Sequence, residues 1–190
     1  MSGETIPRLR TDRLLLREWL DSDREPFAAL NADPEVMRFM SRALDRAESD
    51  ALIDRMRRHW QTDGHGLWAV ERLDDGSFIG FVGLATWSFE AHFMPAVEVG
   101  WRLAHSAWGH GFATEAARAA LRFGFETLGL DEIVSFTTPA NVRSRAVMER
   151  LGMTRDPADD FDHPHLPPGH PVRPHVLYRL SRASFRFRQP

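Results

Sequence analysis

The sequence predicts one mixed α/β domain in which a central sheet carries helices on both faces. The chain has 190 residues, 43% of them hydrophobic and 27% charged, which is typical of a globular domain with a sizeable core. Stretches with the two-residue period of strands alternate with stretches of helical period. The sequence contains neither an internal repeat nor an interdomain linker. We therefore expect a single domain over residues 1–190, with its core in 8–182 and a frayed tail in 183–190.

The individual elements follow from local patterns along the chain. Leu14 and Leu16 define one apolar face of a first strand. Asp74-Asp75-Gly76 separates two strand-like runs and indicates a hairpin turn. The predicted strands are residues 11–19, 67–73, 77–87, 97–103, 133–137 and 176–180. The predicted helices are residues 21–31, a short turn at 34–40, then 47–62, 114–128 and 143–150.

Two residue types are missing from the chain, and each absence excludes a class of chemistry. Without cysteine, disulfides, Cys-ligated zinc and a thiolate nucleophile are excluded. Without lysine, a Walker P-loop and a lysine Schiff base are excluded. The net charge of −3 argues against nucleic-acid binding. No apolar run is long enough to cross a bilayer and the N-terminus does not resemble a signal peptide, so we expect no membrane partner and a cytoplasmic location.

The most informative stretch is residues 108–115, between a predicted strand and a helix with a face of small residues. Gly109 and Gly111 let bare backbone approach a ligand closely. The start of the helix adds unpaired N–H groups and the positive end of the helix dipole, which together favour phosphate. A dinucleotide fingerprint would need a third glycine where Thr114 stands. The turn therefore predicts a phosphorylated cofactor and disfavours a dinucleotide.

A second polar cluster, Asn141 with Ser144, follows the next predicted strand. Further motifs complete the pattern in a specific order: Thr11-Asp12-Arg13-Leu14, Glu98-Val99-Gly100-Trp101, the 108–115 turn, Glu149-Arg150-Leu151-Gly152-Met153 and His175-Val176-Leu177-Tyr178-Arg179-Leu180. Over nearly the whole chain, this order resembles the GNAT acetyltransferase superfamily, specifically its Rim-type branch of ribosomal-protein N-acetyltransferases. The resemblance implies a mostly antiparallel sheet that splays between its fourth and fifth strands.

The resemblance also implies acetyl-CoA as cofactor and an amine as acceptor. Trp108 stands where the superfamily usually has Gln or Arg, so backbone N–H groups of residues 109–114 are expected to bind the pyrophosphate. The pantetheine arm is expected to pair with the backbone of residues 101–103 as a strand would, and Asn141 and Ser144 are expected to face the arm and the thiol. The predicted cofactor residues are Trp101, Arg102, Leu103, Trp108, Gly109, His110, Gly111, Phe112, Ala113, Thr114, Asn141 and Ser144.

Three residues are candidates for the chemistry, which must be direct attack in a ternary complex because no cysteine can form an acyl-enzyme. Glu98 shares a strand face with Gly100, opposite the apolar side chains, and is the candidate base; alternatively, it orders the substrate or pairs with an arginine. Ser144 is the candidate for hydrogen bonding to the leaving thiolate, with a helix-capping role as the alternative. Tyr178 is the candidate acid, with a structural hydroxyl as the alternative.

Two segments are expected to shape the acceptor site. The first is the aromatic loop 88–95, and the candidate substrate-binding residues in and beside it are Trp87, Phe89, Glu90, His92 and Phe93. Of these, Glu90 and His92 are alternative bases, and core packing is the alternative for the aromatic residues. The second is the proline- and histidine-rich segment 156–174, whose spacing fits no zinc pattern. It predicts a loop that covers substrate and no metal site.

The predicted function is transfer of acetyl from acetyl-CoA to a primary amine, on either a protein N-terminus or a small molecule. An alternative from another class is a CoA-binding sensor or interaction module without turnover, because the cofactor turn lacks an arginine. The resemblance is also compatible with a homodimer.

Overall fold

The computed structural model describes residues 6–185. In that part of the chain, the strands are β1 (Leu9–Arg10), β2 (Leu14–Arg17), β3 (Leu67–Arg72), β4 (Phe78–Trp87), β5 (Ala96–Leu103), β6 (Glu132–Thr137), β7 (Thr154–Arg155), β8 (Phe161–Asp162) and β9 (Pro174–Ser181). The α-helices are α1 (Arg24–Ala32), α2 (Pro34–Met37), α3 (Arg46–Asp63), α4 (Phe112–Arg122) and α5 (Val142–Arg150). Residues 186–190 of the predicted frayed tail lie outside the described residues.

The strands form a sheet in the order β1-β2-β3-β4-β5-β6-β9-β7, and β8 pairs with β9. All neighbouring strands run antiparallel except β5 and β6, which are parallel and share one pair, Glu98 with Val134. The predicted fold class and its splay are therefore confirmed. The fourth and fifth predicted strands are β5 and β6, because the short strand β1 was not predicted.

Helices cover both faces of the sheet. The apolar face of α4 packs on β4 and β5 through Ala116, Ala117, Ala120 and Leu121, all fully buried. The turn after α4 approaches the sheet so closely that a Cβ on Gly124 would lie 2.6 Å from the Ile133 side chain. On the opposite face, α1 and α3 contribute Phe27 and Ile53 to a second core. Within residues 6–185, no helix has both the length and the apolar character needed to cross a bilayer.

Several predicted boundaries are corrected by the structure. The first predicted strand is shorter and is preceded by a separate strand, because the chain turns between Arg10 and Leu14. The predicted helix 114–128 starts at Phe112, and it ends in a π-helical turn at Phe123–Thr127. The segment 156–174 contains a 3₁₀ turn and the strand β8, so it is not purely a loop.

Candidate active site

A groove runs along the sheet where β5 and β6 separate. One end is lined by the 108–115 turn and the start of α5. The other end is lined by Glu98, Trp87 and side chains of the 156–174 segment. Residues of α2, of α3 and of the connection between them form a further side. The groove therefore connects the predicted phosphate-binding turn with the predicted base.

The backbone of the turn presents hydrogen-bond donors to the groove. Gly109 and Gly111 both have φ of +81°, a left-handed conformation that favours glycine. The first hydrogen bond of α4 runs from the Glu115 N–H to the Gly111 carbonyl, and no side chain of the described residues caps the helix. The N–H groups of the first turn, from Phe112 onward, therefore remain available to an anion. The Phe112 side chain itself is buried, and the His110 ring stacks on it with centroids 5.5 Å apart.

Trp108 connects β5 with α5 at this end of the groove. Its indole N–H donates to the Leu103 carbonyl at 2.9 Å. The guanidinium of Arg143, from α5, lies 4.8 Å from the centre of the indole ring. Arg143 is exposed and has no carboxylate partner among the described residues. The cation that the turn lacks in sequence is thus supplied from α5, a contribution that sequence reasoning missed because 35 positions separate the two residues.

The turn is also tied to the opposite edge of the sheet. Glu115 accepts hydrogen bonds from the Thr11 hydroxyl at 2.6 Å and from Arg13 Nε at 2.8 Å. Arg13 Nη1 donates to the His110 carbonyl at 3.0 Å. Desolvation raises the pKa of Glu115, but the bonds from Thr11 and Arg13 outweigh it, so the pKa is lowered overall. Glu115 is therefore ionised at neutral pH and holds the turn in place.

The backbone of β5 faces the groove at alternate residues. The Ala104 N–H donates to the Ile79 carbonyl of β4, and in an antiparallel ladder the bonded positions alternate. Given the register of β4 and β5, Arg102 bonds toward β4, whereas Trp101 and Leu103 direct their N–H and C=O groups toward the gap. The Leu103 carbonyl already accepts the Trp108 indole N–H, so the free groups on this edge are both backbone groups of Trp101 and the N–H of Leu103. Of the predicted pantetheine contacts, Trp101 and Leu103 are placed to pair with an extended chain, and the backbone of Arg102 is not.

Glu98 lies where the two strands part. Its Oε2 accepts the Trp87 indole N–H at 2.6 Å, and the backbone N–H of Phe136 on β6 also favours the ionised carboxylate. A Cβ on Gly100 would lie 3.9 Å from this carboxylate, which places Glu98 and Gly100 on one face as predicted. Burial raises the pKa of Glu98 to about 8, and the two N–H donors oppose that rise. A carboxyl that titrates near neutrality can take a proton from an amine.

Ser144 and Asn141 both line the groove at the start of α5. Asn141 is committed to protein contacts: its Oδ1 accepts the Ser144 N–H at 3.3 Å, and its Nδ2 donates to the Thr137 hydroxyl at 3.0 Å. This is the capping role considered for the pair. The Ser144 hydroxyl forms no hydrogen bond with another described residue, so it remains available to a ligand. Contact of Ser144 with the thiol stays a prediction.

Tyr178 lies outside the groove and is 3% exposed. Its hydroxyl donates to Glu149 Oε1 at 2.9 Å and accepts from Arg145 Nε at 3.3 Å. The hydroxyl thus joins β9 to α5 in a polar network, as the structural alternative predicts. Its role as a catalytic acid stays a prediction that this position does not favour.

The predicted acceptor residues separate into two groups. Trp87 lines the groove and is 39% exposed. Phe89 and Phe93 stand behind the groove wall, where Phe89 stacks on Phe161 with centroids 6.1 Å apart. Glu90 and His92 are exposed away from the groove, and His92 contacts Asp159 at 3.2 Å. Of the predicted set, Trp87 is the residue that reaches the groove directly.

Three histidines of the second segment form the groove wall beside Glu98. His163, His165 and His175 line it, and their rings lie within 5.4 Å of one another along the pairs His163–His165 and His163–His175. Burial, and then the neighbouring histidines, lower the pKa of His163 to about 4. Burial also lowers the pKa of His175. His163 and His175 are therefore neutral at physiological pH. No group of three or more ligand-type side chains in the described residues is arranged to hold a metal.

Comparison with known proteins gives the class of the chain. Residues 13–154 match the family model of the acetyltransferase (GNAT) domain. The chain therefore belongs to the GNAT acetyltransferases, a family that uses acetyl-CoA as co-substrate, and it is an N-acetyltransferase. The predicted family and enzyme class are confirmed.

Individual relatives agree with that class. A protein named FsC-acetyl coenzyme A-N(2)-transacetylase from Aspergillus fumigatus is 33% identical over 200 residues, covering 100% of this chain and 83% of that protein. An acetyltransferase structure from Agrobacterium tumefaciens is 31% identical with a TM-score of 0.76, covering 93% of this chain and 95% of that one. YdaF of Bacillus subtilis, a candidate ribosomal N-acetyltransferase, is 26% identical over 77% of this chain and 78% of its own length. This relative supports the Rim-type branch.

Proposed function

We propose that the protein transfers acetyl from acetyl-CoA to a primary amine by direct attack in a ternary complex. The observation that carries the proposal is the fork between β5 and β6, which has an anion-binding turn at one end and a carboxyl with a raised pKa at the other. The groove joins these two features without interruption. Both substrates can therefore meet at Glu98.

The cofactor is held by groups of contrasting chemistry. The pyrophosphate binds the N–H groups at the start of α4, with the guanidinium of Arg143 providing positive charge. The pantetheine arm pairs with the backbone of Trp101 and Leu103 along the open edge of β5. This arrangement directs the thioester toward Glu98, because the same strand carries both the pairing edge and the carboxylate.

The chemistry begins when the carboxylate of Glu98 accepts a proton from the acceptor ammonium, leaving a neutral amine. The amine nitrogen attacks the thioester carbonyl carbon and forms a C–N bond. The C–S bond then breaks, and the electron pair leaves with the CoA sulfur as a thiolate. The Ser144 hydroxyl donates a hydrogen bond to this thiolate. The extra proton on the new amide nitrogen passes to this sulfur, so the products are a neutral amide and the CoA thiol.

Two measurements on the purified chain test the proposal. Calorimetric titration with acetyl-CoA gives binding, and release of free CoA thiol in the presence of a panel of amines gives turnover. We expect saturable binding and amine-dependent thiol release, with Glu98→Gln lowering kcat at least 100-fold and leaving the acetyl-CoA Kd unchanged. Binding without thiol release across the panel would instead support the sensor or interaction module. A Glu98→Gln variant with full turnover would remove Glu98 from the mechanism.

A further inference from the structure

Arg102 shares a face of β5 with Glu98 and lines the same groove. Side chains alternate along a strand, so Glu98, Gly100 and Arg102 point to the side of the sheet that α1 and α3 cover. Gly100 has no side chain to fill the space between the other two. The part of the groove floor that β5 forms therefore carries a carboxyl and a guanidinium, with open backbone between them.

The guanidinium of Arg102 is fixed in position but is not neutralised. Its Nη1 donates to Asn31 Oδ1 at 2.7 Å, its Nη2 contacts the Met40 sulfur at 3.4 Å, and it lies 5.4 Å from the ring centre of Phe81. Asn31 is itself held by the buried Ser49 through its other amide atom. None of these partners carries a negative charge, and no carboxylate within residues 6–185 pairs with Arg102.

The remaining donors of Arg102 are available to a ligand. A guanidinium has five N–H donors, and two hydrogen bonds are formed with described residues. Other cations line the same groove, because Arg38, which follows α2, and Arg55 of α3 are among its lining residues. Among the described residues that line the groove from the segment of α2 and α3, the carboxylate is Glu35, which lies 4.0 Å from Arg38. This end of the groove is therefore cationic, although the chain as a whole carries a net charge of −3.

The burial of Arg102 provides an energetic reason for an anionic ligand to bind beside it. Burial lowers the pKa of Arg102 to about 10, so the group stays charged at neutral pH while much of its hydration is lost. A desolvated cation without a counter-ion is unfavourable, and an anion with matching geometry relieves that cost. Asn31 and Met40 hold Arg102 on the face of the sheet opposite α4. The pyrophosphate lies at the start of α4, so we assign the anion to the acceptor.

We propose that the acceptor is a primary amine that also carries a carboxylate, and that Arg102 binds this carboxylate while the amine reaches Glu98. The inference rests on the proposed function. The two positions are four residue steps apart along the strand, which is roughly 13 Å between Cα atoms. The two side chains fill part of that distance, so a short linear chain between amine and carboxylate suits the site.

The test compares acceptors that differ only in charge. Thiol release is measured at saturating acetyl-CoA with ω-amino acids of three to six carbons and with their methyl esters. We expect the acid to exceed its ester in kcat/KM by about 10- to 100-fold at the best chain length, which is the range for a charge-assisted hydrogen bond. Arg102→Gln is expected to bring this ratio close to one, mainly by raising KM for the acid.

Two further variants control the experiment. Arg102→Lys retains the charge without the planar fork and is expected to keep part of the preference, which guards against a folding defect in Arg102→Gln. Arg58→Gln removes an exposed arginine of α3 outside the groove and is expected to keep the full preference.

Each alternative outcome overturns the inference in a recognisable way. Equal rates for acid and ester in the wild type, or an unchanged ratio in Arg102→Gln, would show that Arg102 does not select the acceptor, while amine acetylation itself would stand. A weaker acetyl-CoA Kd in Arg102→Gln with an unchanged acceptor ratio would assign Arg102 to the cofactor. If no amine in either series releases thiol, the proposed function fails and this inference fails with it.

Discussion

The raised pKa of Glu98 makes a specific prediction about the pH dependence of turnover. A base must be unprotonated to act, and with a pKa of about 8 only about a tenth of Glu98 is ionised at pH 7. Trp87 stabilises the ionised form through its indole N–H, 2.6 Å from Oε2. Trp87→Phe removes that donor and keeps an aromatic ring. We therefore expect the rising limb of the kcat profile to move to higher pH.

The size of the shift follows from the hydrogen bond that is lost. A hydrogen bond to a charged group contributes about 1.5–3 kcal/mol, and 1.36 kcal/mol corresponds to about one pKa unit. Because Trp87 is 39% exposed, water replaces part of the lost bond, so the expected shift is about 0.5–1 unit. Turnover at pH 7 is then expected to fall by about 3- to 10-fold and to recover above pH 9.

The assay is thiol release from acetyl-CoA between pH 6 and 10, with one acceptor for all variants so that titration of the amine cancels. Glu90→Gln is the matched control, because Glu90 is an exposed carboxylate in the next loop and an alternative base. It is expected to keep the wild-type profile. A Trp87→Phe variant that loses turnover equally at every pH, without a displaced limb, would refute the reasoning.

The remaining predictions concern the turn and the framework around it. Arg143→Met is expected to weaken acetyl-CoA binding about 10-fold at low salt and to leave the Kd of S-acetylpantetheine unchanged, as calorimetry would show. Tyr178→Phe removes the hydroxyl that bonds Glu149 and Arg145. We expect the free energy of unfolding in urea to fall by about 1–2 kcal/mol and the pH–rate profile to stay unchanged. If Tyr178 were the catalytic acid, the variant would instead have a lower kcat. The lowered pKa of Glu115 stabilises the fold above the ordinary value of 4.5, so the stability advantage of the wild type over Glu115→Gln is expected to disappear as pH falls below that value.

Features with a local cause were predictable from the sequence. Gly109 and Gly111 adopt the positive φ that two glycines before a helix suggest, and the Asp74-Asp75-Gly76 hairpin joins β3 to β4 as expected. The strands β7 and β8 have two residues each, too few to display a period. They form because they pair with β9, and that pairing exists only in the folded sheet.

The candidate site was predictable where one segment supplies it and was missed where distant segments meet. The position of Glu98 on the face of Gly100 follows from strand alternation alone. The contact of Arg143 with Trp108 depends on how α5 packs beside the turn, and no local pattern encodes that. The aromatic residues in and beside loop 88–95 looked alike in sequence, yet Trp87 faces the groove and Phe89 faces Phe161. Composition cannot distinguish these two environments.

The raised pKa that suits Glu98 to catalysis is also expected to reduce the stability of the fold as pH rises. In the folded chain its pKa is raised from 4.5 to about 8, so between these values the folded state binds more protons than the unfolded state and unfolding becomes easier with increasing pH. At 1.36 kcal/mol per unit, the loss is at most ~5 kcal/mol. Glu98→Gln cannot ionise and is expected to match the wild type near pH 4.5 and to exceed it by several kcal/mol at pH 8.5 in urea unfolding. Parallel stability curves for the two proteins would show that the carboxylate is as well solvated in the fold as in the unfolded chain, and Glu98 would then lose the physical basis for its titration near neutrality.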